Sequence, residues 1–335
     1  MSKFQGDFTK RTINGIQLNV RDEGQGEPSL LFLHYWGGSS RTWDQVVSEL
    51  KTDFRCVAYD HRGWGESDKP ETGYSIQELA NDAEALIQAL GLTRYVLIGH
   101  SMGGKVAQRL AAKRPEGLLA LILVAPAPPT PMAVPEDVRK QMIQAYQNRE
   151  AVGFLIQNIL TAIPLPDQIR EQIIEDTLKG GLAAKHAWPE KGMLEDISSA
   201  VAKISVPTLV LAGENDQVEK IDSLERTLVP NIHTARMSII RQTGHLSPLE
   251  VPDQIASEIR AFLRRSSMVG TSSCSFRVCS QRFFSLTPLR TSSRSSGRRR
   301  LIREGFPVPE GLTDRSLAIY CQDLHGKTSR LVETV

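Results

Sequence analysis

Gly99-His100-Ser101-Met102-Gly103 is the stretch on which the reading of this chain turns. It has the form Gly-x-Ser-x-Gly. Before it, Tyr95-Val96-Leu97-Ile98 is a short apolar run rich in β-branched and aromatic residues, as in a buried strand. After it, Val106, Leu110 and Ala111 recur at helical spacing between Gly104 and Arg114. A serine on a tight turn from strand to helix is held in a strained backbone conformation with its hydroxyl exposed. Glycines on either side permit the turn, because a Cβ there would clash with the neighbouring strand or helix. The helix N-terminus then offers free N–H groups and a positive dipole end to a developing anion. The pentapeptide alone recurs by chance. Combined with its setting between strand and helix the pattern is a strong signal, and the bland alternative is an ordinary βα turn that happens to contain serine.

A serine hydroxyl is a poor nucleophile at neutral pH; it needs a base, and the base needs an orienting acid. In open α/β sheets such groups come from loops at the carboxyl ends of strands. The base expected there is His245, in Gly244-His245-Leu246-Ser247-Pro248, after the last strand and before the final helix. The acid expected is Asp216, in Gly213-Glu214-Asn215-Asp216, just past an apolar strand; Glu214 is the alternative, and Asp222 lies too far into the next helix. The turn after the preceding strand, Ala125-Pro126-Ala127, has no carboxylate. Anion stabilisation needs two converging N–H donors. Met102 supplies one and Trp36, in His34-Tyr35-Trp36-Gly37-Gly38, the other. Tyr35 and His100 complete the residues expected around the oxyanion and substrate site, although the His100 side chain should point elsewhere.

Strand-like and helix-like segments alternate through the body, which indicates an α/β fold with a mainly parallel sheet. Phe8–Ile13 and Ile16–Arg21 form a hairpin across Asn14-Gly15. Strands follow at Ser29–His34, Phe54–Asp60, Tyr95–Gly99, Leu118–Val124, Val206–Ala212 and Ala235–Ile240. Helices are expected at Trp43–Lys51, at Ser75–Leu92 with a Ser75/Glu78 capping box, and at Val251–Arg265. The rhythm breaks between Pro126 and Ile204. Five prolines from Pro126 to Pro135 lead into helical runs at Glu136–Arg149, Val152–Leu160 and Asp167–Lys179. This reads as an inserted helical cap, about residues 127–203, whose Phe154, Leu155, Ile156, Leu160 and Trp188 offer an apolar lining for a small hydrophobic acyl or aromatic group.

The chain has 335 residues with 40 basic and 38 acidic side chains, of which 11 and 5 follow Arg265. A mildly acidic domain, residues 1–265, is thus joined to a basic extension, residues 266–335. The extension is rich in Ser and Arg, has no Asp or Glu up to Arg300, and reads as disordered. From Met268 it is like a mitochondrial transit peptide in composition. At an internal position it could not act as one, which suggests an erroneous or fused gene model. No apolar run nears the roughly 18–20 residues needed to span a membrane, and the first residues lack a signal-peptide run. The expectation is a soluble cytoplasmic protein without nucleic-acid or membrane partners. Of Cys56, Cys274, Cys279 and Cys321, only Cys56 lies in the domain, where it should pack as a small hydrophobe. No disulfide framework or zinc-ligand spacing is present.

These stretches, with Tyr59-Asp60-His61-Arg62-Gly63-Trp64-Gly65-Glu66-Ser67, resemble the α/β-hydrolase superfamily, in its esterase, cofactor-free haloperoxidase and perhydrolase branch. The resemblance covers about Ile13 to Arg265. It implies an eight-stranded, mostly parallel sheet flanked by helices, a cap over the site, no cofactor, and a nucleophile, acid and base in the order Ser101, Asp216, His245. It also implies that Asp60 and Arg62 shape a loop and do no chemistry. Two positions depart from the family pattern. Tyr35 replaces a glycine and either crowds the pocket or alters the turn. Gly37 stands where perhydrolase-type members carry a proline that helps place a carbonyl favouring peroxide, which weakens that implication. Serine at 101 excludes neighbours that need Asp or Cys there, the dehalogenases, epoxide hydrolases and dienelactone hydrolases. The expected reaction is hydrolysis of a small carboxylic ester or lactone through an acyl-enzyme. The alternatives are C–C bond hydrolysis or lysis, or perhydrolysis, on the same residues, and more remotely a non-enzymatic small-molecule receptor.

Overall fold

Asn14 and Gly15 take φ of +48° and +81°, the two left-handed residues that a tight hairpin turn requires. They join β1 (Phe8–Ile13) to β2 (Ile16–Glu23) with Ile13 facing Ile16. A computed structural model describes residues 8–269 and continues this hairpin into one eight-stranded sheet. The other strands are β3 (Ser29–Leu33), β4 (Cys56–Tyr59), β5 (Tyr95–His100), β6 (Leu118–Val124), β7 (Thr208–Gly213) and β8 (Ala235–Ile240). Their order is β1-β2-β4-β3-β5-β6-β7-β8. Only β2 is antiparallel to its neighbours; every other pairing is parallel.

The continuous apolar runs are explained by burial on both faces. Successive side chains of a strand point to opposite sides. Leu30, Phe32, Val96, Ile98, Ile122 and Leu211 therefore pack on one face, with Cys56, Val46 and Val47 of α1 (Asp44–Leu50) and Ile255 and Ile259 of α11 (Pro252–Val269). Leu31, Leu33, Leu97, Leu121 and Val210 pack on the other, beneath α2 (Ile76–Ala89) and α3 (Met102–Ala111). At the start of α2 the Ser75 Oγ accepts from the Glu78 N–H at 3.2 Å, and the Ser75 N–H donates to Glu78 Oε2 at 3.0 Å, the reciprocal pair read from sequence.

Between β6 and β7 the chain forms α4 (Glu136–Ala145), α5 (Arg149–Leu155), α6 (Asp167–Lys179), α7 (Leu182–Glu190) and the single turn α8 (Ser198–Val201). The run expected as one helix over Glu136–Arg149 breaks at Tyr146. Asn148 then caps α5, its side chain accepting from the Ala151 N–H at 2.9 Å. Residues Ile156–Leu160 continue α5 as one wider π turn. After β7 come α9 (Ile221–Thr227) and, beyond β8, α10 (Ser247–Glu250). The last helix runs to Val269, four residues past the boundary drawn from composition. The rest of the Ser/Arg-rich segment lies outside the described residues. Among those residues no helix is long and apolar enough to cross a membrane.

The two kinds of local signal should differ in weight. Ser75→Ala removes one exposed cap and should cost about 1 kcal/mol. Ile98→Ala opens a cavity between sheet and α1/α11 and should cost about 2–5 kcal/mol. Urea unfolding with an unchanged slope measures both; equal costs would contradict the two-faced core.

Candidate active site

Strand β5 ends at His100 and α3 begins at Met102, so Ser101 alone makes the turn. It does so at φ +51°, ψ −117°, a conformation L-residues avoid, at a cost of order 1–3 kcal/mol. Neighbours hold it there. The Ser101 N–H donates to the Val124 carbonyl and the Ala127 N–H to the Ser101 carbonyl, both at 3.1 Å. The glycines are sterically required. A Cβ on Gly99 would stand 2.4 Å from the Gly103 carbonyl oxygen, and one on Gly103 only 2.5 Å from that of His34. Helix and strand can approach this closely only without those side chains.

Three residues from three strand ends meet at this turn. His245 Nε2 lies 2.9 Å from Ser101 Oγ, and its Nδ1 lies 2.9 Å from Asp216 Oδ2. Asp216 follows β7, and its other oxygen, Oδ1, accepts from the Val218 and Glu219 amides at 2.8 and 2.9 Å. The carboxylate is thereby fixed from both sides. Nδ1–H of His245 donates to Oδ2, which leaves Nε2 free to accept from the serine hydroxyl. The alternatives named from sequence lie elsewhere: the Glu214 carboxylate accepts from the Gln242 N–H, and Asp222 is in α9.

The loop after β3 closes the opposite side. Buried His34 accepts the His61 N–H on Nε2 at 3.0 Å, so its Nδ1–H donates to the Tyr35 carbonyl at 2.7 Å. Burial lowers the His34 pKa to about 4, consistent with a neutral ring in that tautomer. Trp36 stacks on Tyr146 of the insertion with ring centres 3.7 Å apart. Tyr35 adopts no positive φ, so its side chain is accommodated without strain, and burial raises its hydroxyl pKa well above the usual value. Met102 opens α3, where its N–H has no helical carbonyl four residues earlier to meet.

Ser101, His245, Tyr35 and Trp36 line a cavity of about 100 Å³. Met132, Met142, Tyr146, Leu155, Leu160 and Trp188 of the insertion cover it. Of the apolar lining expected, Leu155, Leu160 and Trp188 are there; Phe154 and Ile156 are not among the lining residues, and Ile156 is buried in the core. The His100 side chain does not reach the cavity either. Its Nε2–H donates to the His245 carbonyl at 2.8 Å, and burial keeps the ring neutral, with its pKa well below 6.5. It therefore supports the histidine loop from behind. Asp60 accepts from the amides of Ser40 and Glu66, and Arg62 pairs with Asp82, so both act within the loops around β4. Among the described residues no group of three or more His, Cys, Asp or Glu side chains is placed to hold a metal ion.

Two carboxyl groups at the site, half-buried Glu250 and buried Glu219, were not read from sequence. Glu250 accepts from the Gly244 N–H at 3.1 Å and from the Ala162 and Ile163 amides at 2.9 and 3.0 Å, fastening the His245 loop to the insertion. Glu219 lines the cavity itself. Neither has a local pattern to mark it, although its nearness to Asp216 singles out Glu219 in retrospect.

Residues 28–252 match the family model for the alpha/beta hydrolase fold, and the chain belongs to that family. Its relatives include the AB hydrolase superfamily protein YisY of Bacillus subtilis, 31% identical over 267 residues, which cover 75% of this chain and 97% of that one. The 2-(acetamidomethylene)succinate hydrolase of Mesorhizobium japonicum is 29% identical over 64% of this chain and 80% of its own length. Among solved structures, an esterase from Exiguobacterium antarcticum matches with a TM-score of 0.70 and 25% identity, covering 78% of this chain and 100% of that one.

Gly103→Ala should be poorly tolerated, since its Cβ meets two backbone carbonyls that cannot swing away. A loss of about 2 kcal/mol or more is expected, read as a fall in Tm. A variant as stable as the parent would show that α3 does not press on β3 as described.

Proposed function

We propose that the protein is a serine hydrolase that cleaves small carboxylic esters or lactones. The observation that carries this reading is the chain of 2.9 Å contacts from Ser101 Oγ through His245 to Asp216, opening into an apolar cavity. The esterase of Exiguobacterium antarcticum, similar over nearly the whole domain, supports the same reaction class.

In this reading Ser101 Oγ attacks the substrate carbonyl carbon while His245 Nε2 takes its proton. Asp216 holds the imidazole in the required tautomer and stabilises the imidazolium that forms. The Met102 and Trp36 amides donate to the oxyanion. Collapse expels the alcohol, which receives the proton from His245; in a lactone the alcohol remains tethered to the acyl group. Water then attacks the acyl-enzyme with His245 again as base, and the acid leaves. The apolar walls strengthen each of these electrostatic interactions by excluding water.

Gly37 favours hydrolysis over perhydrolysis. It stands at φ +94°, where a proline with φ near −65° could not fit. The loop therefore takes a path that a proline-bearing loop of perhydrolase type cannot follow. Stacking of Trp36 on Tyr146 joins the proposed oxyanion loop to the cap, so substrate selection and anion binding share one wall.

Ser101→Ala should lower kcat on a p-nitrophenyl ester by about 10⁴-fold or more without changing the fold. Asp216→Asn should cost about 10⁴-fold by leaving the imidazole in the wrong tautomer. Stopped ester turnover with intact circular dichroism is the expected result; an active Ser101→Ala protein would overturn the assignment.

A further inference from the structure

Asp216 and Glu219 stand three residues apart on the same turn and have opposite surroundings. Both Asp216 oxygens are held by donors. Glu219 is only 2% exposed and lines the cavity that contains Ser101 and His245. Its main-chain N–H serves Asp216, but its Oε1 has no hydrogen-bond partner. A buried polar atom left unpaired has lost its bonds to water without replacement, which is unfavourable. Lys105 is the cation that influences it, but the Lys105 Nζ donates to the Glu195 carbonyl at 2.6 Å and makes no hydrogen bond to Oε1. Trp36 Nε1, on another residue lining the same cavity, is likewise buried and unpartnered. The proposed reaction uses neither atom: it needs the Trp36 amide, the serine, the histidine and Asp216. Two hydrogen-bonding atoms thus remain unpartnered in residues lining a mostly apolar cavity that also carries Gln141, and polar groups of a ligand could pair with them.

We propose that Glu219 determines specificity by accepting, on Oε1, a hydrogen bond from a hydroxyl group of the substrate. The preferred substrate class is then an ester or lactone with an apolar body carrying one hydroxyl, and the deoxy counterpart is a poorer substrate. This rests on the ester-hydrolase reading above. A neutral hydroxyl fits better than an ammonium group. Burial and the adjacent Asp216 charge raise the Glu219 pKa well above the usual carboxylate range against the opposing charge of Lys105, which favours the uncharged acid over the carboxylate. Such an acid accepts a hydroxyl proton on one oxygen and has no charge to offer a cation. Discrimination arises because a site built for a hydroxyl keeps its buried atom unpaired when an analogue lacks one.

The test uses pairs of esters that differ by one hydroxyl, placed on the acyl or on the alcohol side. An ammonium-bearing member is added to each set. Release of acid is followed for the full chain and for Glu219→Gln and Glu219→Leu. Wild type should favour the hydroxylated member of at least one pair by about tenfold in kcat/KM. Glu219→Gln should keep most of that ratio, because its amide oxygen still accepts. Glu219→Leu should bring the ratio close to one. The inference is overturned by the absence of any hydroxyl preference in wild type, or by a preference for the ammonium member. It is also overturned by a ratio that survives in Glu219→Leu, or by equal losses on both members of each pair, the mark of a purely structural role. The wild-type ratio needs no variant and stays decisive if Glu219→Leu does not fold. Ester turnover lost in Ser101→Ala, with no hydroxyl preference, would sink the Glu219 assignment alone; turnover retained in Ser101→Ala would sink the hydrolase reading first.

Discussion

The backbone at Ser101 is the constraint on which the rest depends. One residue must end a strand and start a helix while holding a side chain out, and it can do so only at positive φ. That conformation is unfavourable, so everything around it serves to enforce it. β6 receives the Ser101 N–H, the turn after β6 donates back to the Ser101 carbonyl, and two glycines let α3 settle against β3. The central strands are fully buried because their carboxyl ends have to form a rigid frame. The switch in strand order, with β4 on one side of β3 and β5 on the other, places the Tyr35–Gly38 loop directly across from the serine.

A rigid turn aligns only what is itself aligned, and here the neighbours are held by second partners. His245 has Asp216 on Nδ1, His100 beneath its carbonyl, and Glu250 on the amide just before it. Tyr35 has His34 and Gly38 on its carbonyl. These supports are buried or half-buried polar groups whose hydrogen bonds lie within the site. Removing one leaves another buried atom unpaired, which makes such networks costly to disturb. Unpartnered atoms remain at Nδ1 of His100 behind the site and, in residues lining the cavity, at Glu219 Oε1 and Trp36 Nε1.

Much of the frame was legible in sequence because it is written in short-range patterns. Unbroken apolar runs gave the parallel strands, Asn14-Gly15 the hairpin, Ser75 and Glu78 the start of α2, and the chain order of Ser101, Asp216 and His245 the residues that meet at the turn. The misreadings share one cause. At the break, Tyr146 stacks on the Trp36 ring more than a hundred residues away, and only Asn148 marks it locally. The place of His100 was half read: it avoids the cavity as its position beside Ser101 implied, but its bond to the His245 carbonyl spans 145 residues. Glu250 and Glu219 look like ordinary surface carboxylates in a string of letters. What makes them unusual, the amides gathered on Glu250 and the burial of Glu219, is a property of the folded chain.

The insertion lines the cavity and is fastened to this frame at the same time. It touches the site at two kinds of place. The Glu250 carboxylate binds the amides of Ala162 and Ile163 and also that of Gly244, so the insertion and the histidine loop share one clamp. Leu160, at the end of the π turn, accepts the Leu246 N–H at 3.0 Å and presents its side chain to the cavity. Substitutions in the lining can then change the shape of the cavity while these backbone bonds keep the histidine in register. Glu219 is on the acid turn and lines the cavity. A carboxyl group there can sense the far part of a substrate while its own main-chain N–H steadies the acid that the proposed reaction requires.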